Sequence, residues 1–254
     1  MKAFLKLAAA AALVAAVPAL SAAEKAPPAY VAAAVASPDR PKADVERDAL
    51  RKPAELIAFA GIRRGQDVGD LMPGGGYFTR IFSGVVGPKG RVYAIVPSEQ
   101  LARRATAADA VKAIAAEPAY SNVSVVVAPP AEIAAPRPLD VVWTSDNYHD
   151  VYGFNGPEAA AAMNAAVFKA LKPGGEFIVI DHASAPGAGG TVAKTLHRID
   201  PETIKAQVLA AGFVLEAESP LLRNPADPHD VAIFDKSIRG STDQVVFKFR
   251  KPKG

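Results

Sequence analysis

A chain of 254 residues, half of them hydrophobic and 22% charged, is long enough to bury the core of one substantial domain. Two charges of its formal net +3 are Lys2 and Lys6, and no basic run is interleaved with aromatics, so no nucleic-acid partner is expected. Cysteine is absent, which excludes disulfides, thiolate metal sites and a cysteine nucleophile.

Lys2 and Lys6 precede an apolar, alanine-rich run over 7–20 that ends in small residues around Ser21 to Ala23. These features predict a signal peptide over 1–23. The run is shorter than the roughly 20 residues a membrane helix needs. The mature protein is therefore expected to be exported, to a bacterial periplasm, with no stable membrane span. Residues 24–42, rich in Ala and Pro without a steady period, read as a flexible or extended lead-in to one domain over 43–254. Asp44 is placed to cap a helix reaching about residue 60, which Pro53 kinks or divides and Gly61 ends.

Strands and helices then alternate. Strands are predicted over 67–71, 91–96, 123–127, 140–145, 176–181 and 213–219, with helices over 76–86, 98–116, 157–171 and 201–211 between them. The β-branched run at 123–127 suits a buried parallel position. Residues 244–249 alternate as a last strand. Repeated βα units predict a doubly wound α/β sheet with helices on both faces.

The most informative stretch is Val68-Gly-Asp-Leu-Met-Pro-Gly-Gly-Gly-Tyr-Phe-Thr-Arg80. A strand breaks there into a glycine turn that opens a helix, where backbone can lie against a ligand and helix amides point at it. The dinucleotide fingerprint fits poorly, because Thr79 stands where Gly or Ala is wanted.

Asp70-Leu-Met-Pro-Gly-Gly-Gly76, Ala170-Leu-Lys-Pro-Gly-Gly-Glu-Phe-Ile-Val-Ile180 and Ala211-Gly-Phe213 resemble the motifs of class I S-adenosylmethionine-dependent methyltransferases. Pro73-Gly-Gly-Gly-Tyr77, His197-Arg-Ile-Asp200 and Asn224-Pro-Ala-Asp-Pro-His229 further resemble a group of exported bacterial predicted methyltransferases. The resemblance implies a Rossmann-like sheet of about seven strands with an antiparallel last strand. It also implies S-adenosyl-L-methionine as cofactor, held by Asp70, Gly74, Gly75, Gly76 and Tyr77. The chain departs from the family in having Met72 for the first glycine. No acid stands at the end of strand two, where Glu99 is the nearest carboxylate, and Ala128-Pro-Pro130 follows strand three.

Substrate-handling residues are expected past strand four. His149 is a candidate general base tuned near neutral pH and oriented by Asp146 or Asp150. Asn147, Tyr148, Asp181, His182 and His197 are candidate substrate contacts at strand ends. Asp200 before Pro201 reads as a helix cap, and the Gly-rich 184–191 as a lid. No spacing such as His-x-x-x-His predicts a metal. The preferred function is methyl transfer to a small molecule. The alternatives are an exported ligand-binding or accessory protein that keeps the fold without the donor, and a metal-dependent hydrolase or lyase using His149, His182 and His197.

Overall fold

Seven strands form one mixed sheet in the order β3-β2-β1-β4-β5-β7-β6 in a computed structural model that describes residues 26–129 and 131–253. The predicted signal peptide lies outside the described residues. The strands are β1 (Asp67–Leu71), β2 (Arg91–Pro97), β3 (Val123–Ala128), β4 (Leu139–Ser145), β5 (Leu171–His182), β6 (Val214–Ser219) and β7 (Gln244–Arg250). β1 to β5 pair in parallel, and β7 runs antiparallel to both β5 and β6. The doubly wound sheet with an antiparallel last strand is as the resemblance implies. Among the described residues no helix is long and apolar enough to cross a membrane.

The helices are α1 (Ala29–Val35), α2 (Lys42–Val45), α3 (Asp48–Arg51), α4 (Pro53–Ala60), α5 (Tyr77–Val86), α6 (Ser98–Arg103), α7 (Asp109–Ala116), α8 (Tyr148–Asn155), α9 (Pro157–Ala170), α10 (Ala193–Leu196) and α11 (Pro201–Ala210). Strand side chains alternate between two apolar layers. Val92, Ala94, Ile178 and Ile180 join Phe78, Phe82 and Trp143 on one face. Tyr93, Ile95, Phe177 and Val179 join Tyr148, Met163 and Phe213 on the other. In β4 a register shift between Leu139 and Val141 sends these two residues to opposite layers, although their spacing would put them on one face. At the centre of β1 a side chain on Gly69 would press on Leu139 and Ile95, so glycine lets the neighbouring strands' side chains close over it.

Several expectations are corrected. Residues 29–35 of the predicted extended lead-in form α1, whose Val31 is fully buried against the layer of α4 and α5. The helix predicted over 44–60 is three pieces: Lys52 adopts φ +43 immediately before Pro53, which opens α4. Residues 98–116 make two helices, α6 and α7. Among the described residues β3 is an edge strand, with Val127 45% exposed, because it pairs there only with β2. α8 was not predicted, and the Lys-Pro-Gly-Gly turn is absorbed into a β5 that starts at Leu171.

α1 docks where α5 is narrowest. A Cβ at Gly84 would stand 2.9 Å from Ala34 Cβ. Gly84→Val is expected to lower stability by about 1–3 kcal/mol through overpacking. It should also open residues 29–35 to limited proteolysis. An unchanged melting temperature and digest would contradict the docking of α1.

Candidate active site

β1 ends at Leu71, and Met72 (φ +57), Gly74 (φ +56) and Gly76 (φ +80) turn the chain into α5. A Cβ at Gly74 or Gly75 would meet nothing within 4 Å, so these two glycines face open space. Gly76 does not: a Cβ there would run into Ile114 of α7. A side chain at this position is therefore excluded by packing against α7. Asp70, 3% exposed at the strand end, accepts a 2.6 Å hydrogen bond from Thr79 Oγ1. Burial pushes its carboxyl up to about 6, against the opposing pull of Thr79 and Arg51.

The segment before α4 closes over this turn. Arg51 Nη2 donates to Ser145 Oγ and Asp146 Oδ2, each at 3.1 Å, tying α3 to the end of β4. Arg40 makes a two-pronged ion pair with Asp48, and Tyr77 Oη donates to the same carboxylate at 2.6 Å. Arg40, Arg47 and Arg51 approach the Tyr77 ring to 5.3, 5.2 and 4.6 Å. Beneath them is a chamber of about 210 Å³ whose walls include Arg47, Arg51, Asp70, Gly75, Tyr77 and Asp146.

Met72, Gly74 and Asn147 are shared between this chamber and a second, larger one of about 490 Å³. Asn147 Nδ2 donates to Met72 O at 3.1 Å, so the β1 and β4 turns are stitched together at that waist. The larger chamber is walled by Glu99 and Pro97 on the β2 side and by Asp150, Phe154, Met163 and His197 on the other. Glu99 thus stands at the end of β2, as expected.

Behind the waist lies a dense polar network. Asp181 is fully buried and accepts from His149 Nδ1 (2.6 Å), His149 N (2.8 Å) and His182 N (2.7 Å). His149 is 1% exposed, and its Nε2 lies 3.2 Å from Asp150 Oδ1 and 3.3 Å from His197 Nδ1. Burial works against charge on the His149 ring, but the carboxylates of Asp181 and Asp150 raise its pKa to about 10. The expectation of a base tuned near neutral pH is corrected accordingly, and its orienting groups are Asp181 and Asp150, not Asp146.

Asp146, at φ +61, is held by Arg51 and by Gln244 Nε2 at 2.6 Å. Burial opposes its charge, yet His182, Arg51 and His149 keep the carboxyl below its ordinary range. His182 bonds Thr242 Oγ1 at 2.7 Å, and burial lowers its pKa. Tyr148 is fully buried and accepts from Asn164 at 2.8 Å. Tyr148, Asp181 and His182 line neither chamber and bond to the residues around them. Asn147 and His197 face the larger chamber.

The motif at 197–200 meets the motif at 224–229 in a latch. Arg198 is fully buried and donates to Asp227 Oδ2 (2.8 Å) and Oδ1 (3.0 Å), Val231 O and Ala183 O. Asp243 accepts from Arg223 Nε and from His229 Nε2, at 2.8 and 3.0 Å. Asp200 caps α11 through Glu202 N (2.9 Å) and also pins Gly187 N (2.7 Å). The 184–191 loop is thereby tied to the start of α11 and lines neither chamber.

Solved structures of the same architecture supply the comparison. A S-adenosylmethionine-dependent methyltransferase from Aquifex aeolicus superposes with TM-score 0.52 at 16% identity, over 80% of this chain and 97% of its own. An arsenic(III) S-adenosylmethionine methyltransferase from Chlamydomonas reinhardtii does so with TM-score 0.53 at 19% identity, over 90% and 75%. This is the class I methyltransferase fold. The [4+2]-cyclase SpnF shares it too, with TM-score 0.57 at 15% identity over 84% and 82%, so the fold alone does not fix the reaction. No protein-family model matches the chain, and no curated protein matches it.

Within the methyltransferase fold, both chambers sit at the carboxyl ends of β1, β2 and β4, where doubly wound sheets hold ligands. Sequence reasoning placed Asp70, Gly74, Gly75, Tyr77, Glu99, Asp146 and Asn147 there. It missed Arg47 and Arg51 as site residues. Their one sequence signal is Lys52-Pro53, since the residue before proline is driven out of helix and frees α3 to swing over the turn.

Proposed function

We propose that the protein transfers a methyl group from S-adenosylmethionine to a small-molecule acceptor. The observation that carries this reading is the smaller chamber. It sets guanidinium groups (Arg47, Arg51) and carboxylates (Asp70, Asp146) around open glycine backbone at Gly74 and Gly75. A zwitterionic amino-acid end needs both signs at short range. In this reading Glu99, which lines the larger chamber beside the end of β2, would accept from the ribose hydroxyls, and that chamber's volume of about 490 Å³ would take the nucleoside and an acceptor. When bound, the donor supplies an electrophilic methyl group. The chain's own residues orient the two reactants and exclude water, which is the main requirement of a direct transfer.

Calorimetric titration of S-adenosylmethionine and S-adenosylhomocysteine tests the reading. Gly75→Val is the informative variant, because its Cβ meets no protein atom within 4 Å. The variant should fold normally and bind at least tenfold more weakly than a micromolar wild type. Absence of binding to folded wild-type protein would overturn the reading.

A further inference from the structure

Three ligand atoms converge on one point at the wall of the larger chamber. His149 Nε2, His197 Nδ1 and Asp150 Oδ1 are separated by 3.0, 3.2 and 3.3 Å. Nitrogen and oxygen ligands about 2.0–2.1 Å from a divalent cation stand roughly 2.9–3.4 Å apart, between octahedral and tetrahedral arrangements. The triangle is therefore already the size of one face of a coordination shell.

The side chains behind it are organised in the same sense. Asp181 takes His149 Nδ1 at 2.6 Å while accepting two backbone N–H groups, so it is an anchored carboxylate that only accepts. That keeps a hydrogen on Nδ1 and aims Nε2 at Asp150 and His197, so a cation bound there would take the place of the Nε2 proton. A carboxylate behind a ligating histidine is the arrangement that raises ligand basicity and sets ring direction. His197 is held at φ +55, a conformation costly for a non-glycine residue, directly before the Arg198 latch. Its position is thus imposed by the surrounding structure.

We propose that His149, Asp150 and His197 bind one divalent transition-metal cation of the zinc class, with the remaining coordination positions open to the larger chamber. Two imidazoles and one carboxylate are the donor set that zinc and iron(II) favour. Asp150 and His197 both line that chamber, so the open positions are accessible to water or to an oxygen atom of the acceptor. Only this last assignment, of acceptor oxygen to the metal, rests on the methyl-transfer reading.

The test is metal binding itself. Protein stripped with a chelator is titrated with Zn²⁺ by calorimetry and with Co²⁺ by visible absorption. The expected result is one equivalent per chain and d–d bands of a nitrogen–oxygen site. Asp150 and His197 are partly exposed, at 43% and 23% of their side chains, so Asp150→Asn and His197→Gln should fold and bind at least tenfold more weakly. His229→Gln, in the latch and away from the cluster, should bind as the wild type does. No stoichiometric binding to wild type, or equal binding to the two cluster variants, would overturn the site. Donor titration of the stripped protein separates the two ideas. Donor binding without metal binding removes the metal site alone, and metal binding without donor binding removes the methyl-transfer reading alone.

Discussion

Asp227→Ala is expected to lower the free energy of unfolding by about 3–5 kcal/mol, because it strands a fully buried guanidinium. Arg198 is closed off from bulk solvent. Its remaining bonds to Ala183 O and Val231 O satisfy only part of its five N–H groups. Asp227 also accepts from His229 N and Asp243 N, so the substitution orphans backbone donors in the same stroke. Urea unfolding measures the effect. The double variant Arg198→Met with Asp227→Leu should recover the part of the loss that comes from the stranded guanidinium, while the His229 N and Asp243 N donors stay orphaned. A single-variant loss below about 1 kcal/mol, the range of exposed ion pairs, would contradict the buried latch.

Asp70→Asn is expected to separate stability from binding. The folded protein raises the Asp70 pKa from 3.8 to about 6, so it holds this proton more tightly than the unfolded chain does. The stabilising contribution is complete below pH about 4 and is lost as pH rises through about 6, amounting to roughly 3 kcal/mol by pH 8. Asparagine carries no charge to desolvate and can still accept from Thr79. The variant should therefore be more stable than wild type at pH 8 by up to about 3 kcal/mol, with the gain vanishing near pH 4. Donor affinity should fall roughly ten- to a hundredfold, the usual value of a charge-assisted hydrogen bond. Thermal melts across pH, paired with calorimetry, read both effects. A variant that is less stable at pH 8, or binds equally well, contradicts the role of Asp70.

The alternation of β-branched runs with amphipathic helices made the sheet legible. β1 was read with its observed bounds, and Asp200 before Pro201 announced the start of α11. What was hidden depends on contacts distant in sequence. The run Val125-Val-Val127 looks alike on an edge and in a centre, and only the topology puts β3 outside. α8 carries a glycine at its middle that lowers helix propensity; the reason is that a side chain on Gly153 would meet the backbone of Ala193 and Lys194. In the site, the glycine turn announced itself through local sequence. The Arg51–Asp146 tie and the Asp181–His149 pair span 95 and 32 residues and have no local signature. For the same reason the Asn164 and Thr242 partners of Tyr148 and His182 have no local sequence signal.

The most direct test of the central claim is a crystal structure of the protein grown with S-adenosylhomocysteine. Ligand density is expected through both chambers across the Gly74–Asn147 waist. The amino-acid end should lie among Arg51, Asp70 and Asp146, and the ribose beside Glu99. A ligand bound elsewhere, or chambers that stay empty at saturating ligand, would contradict it.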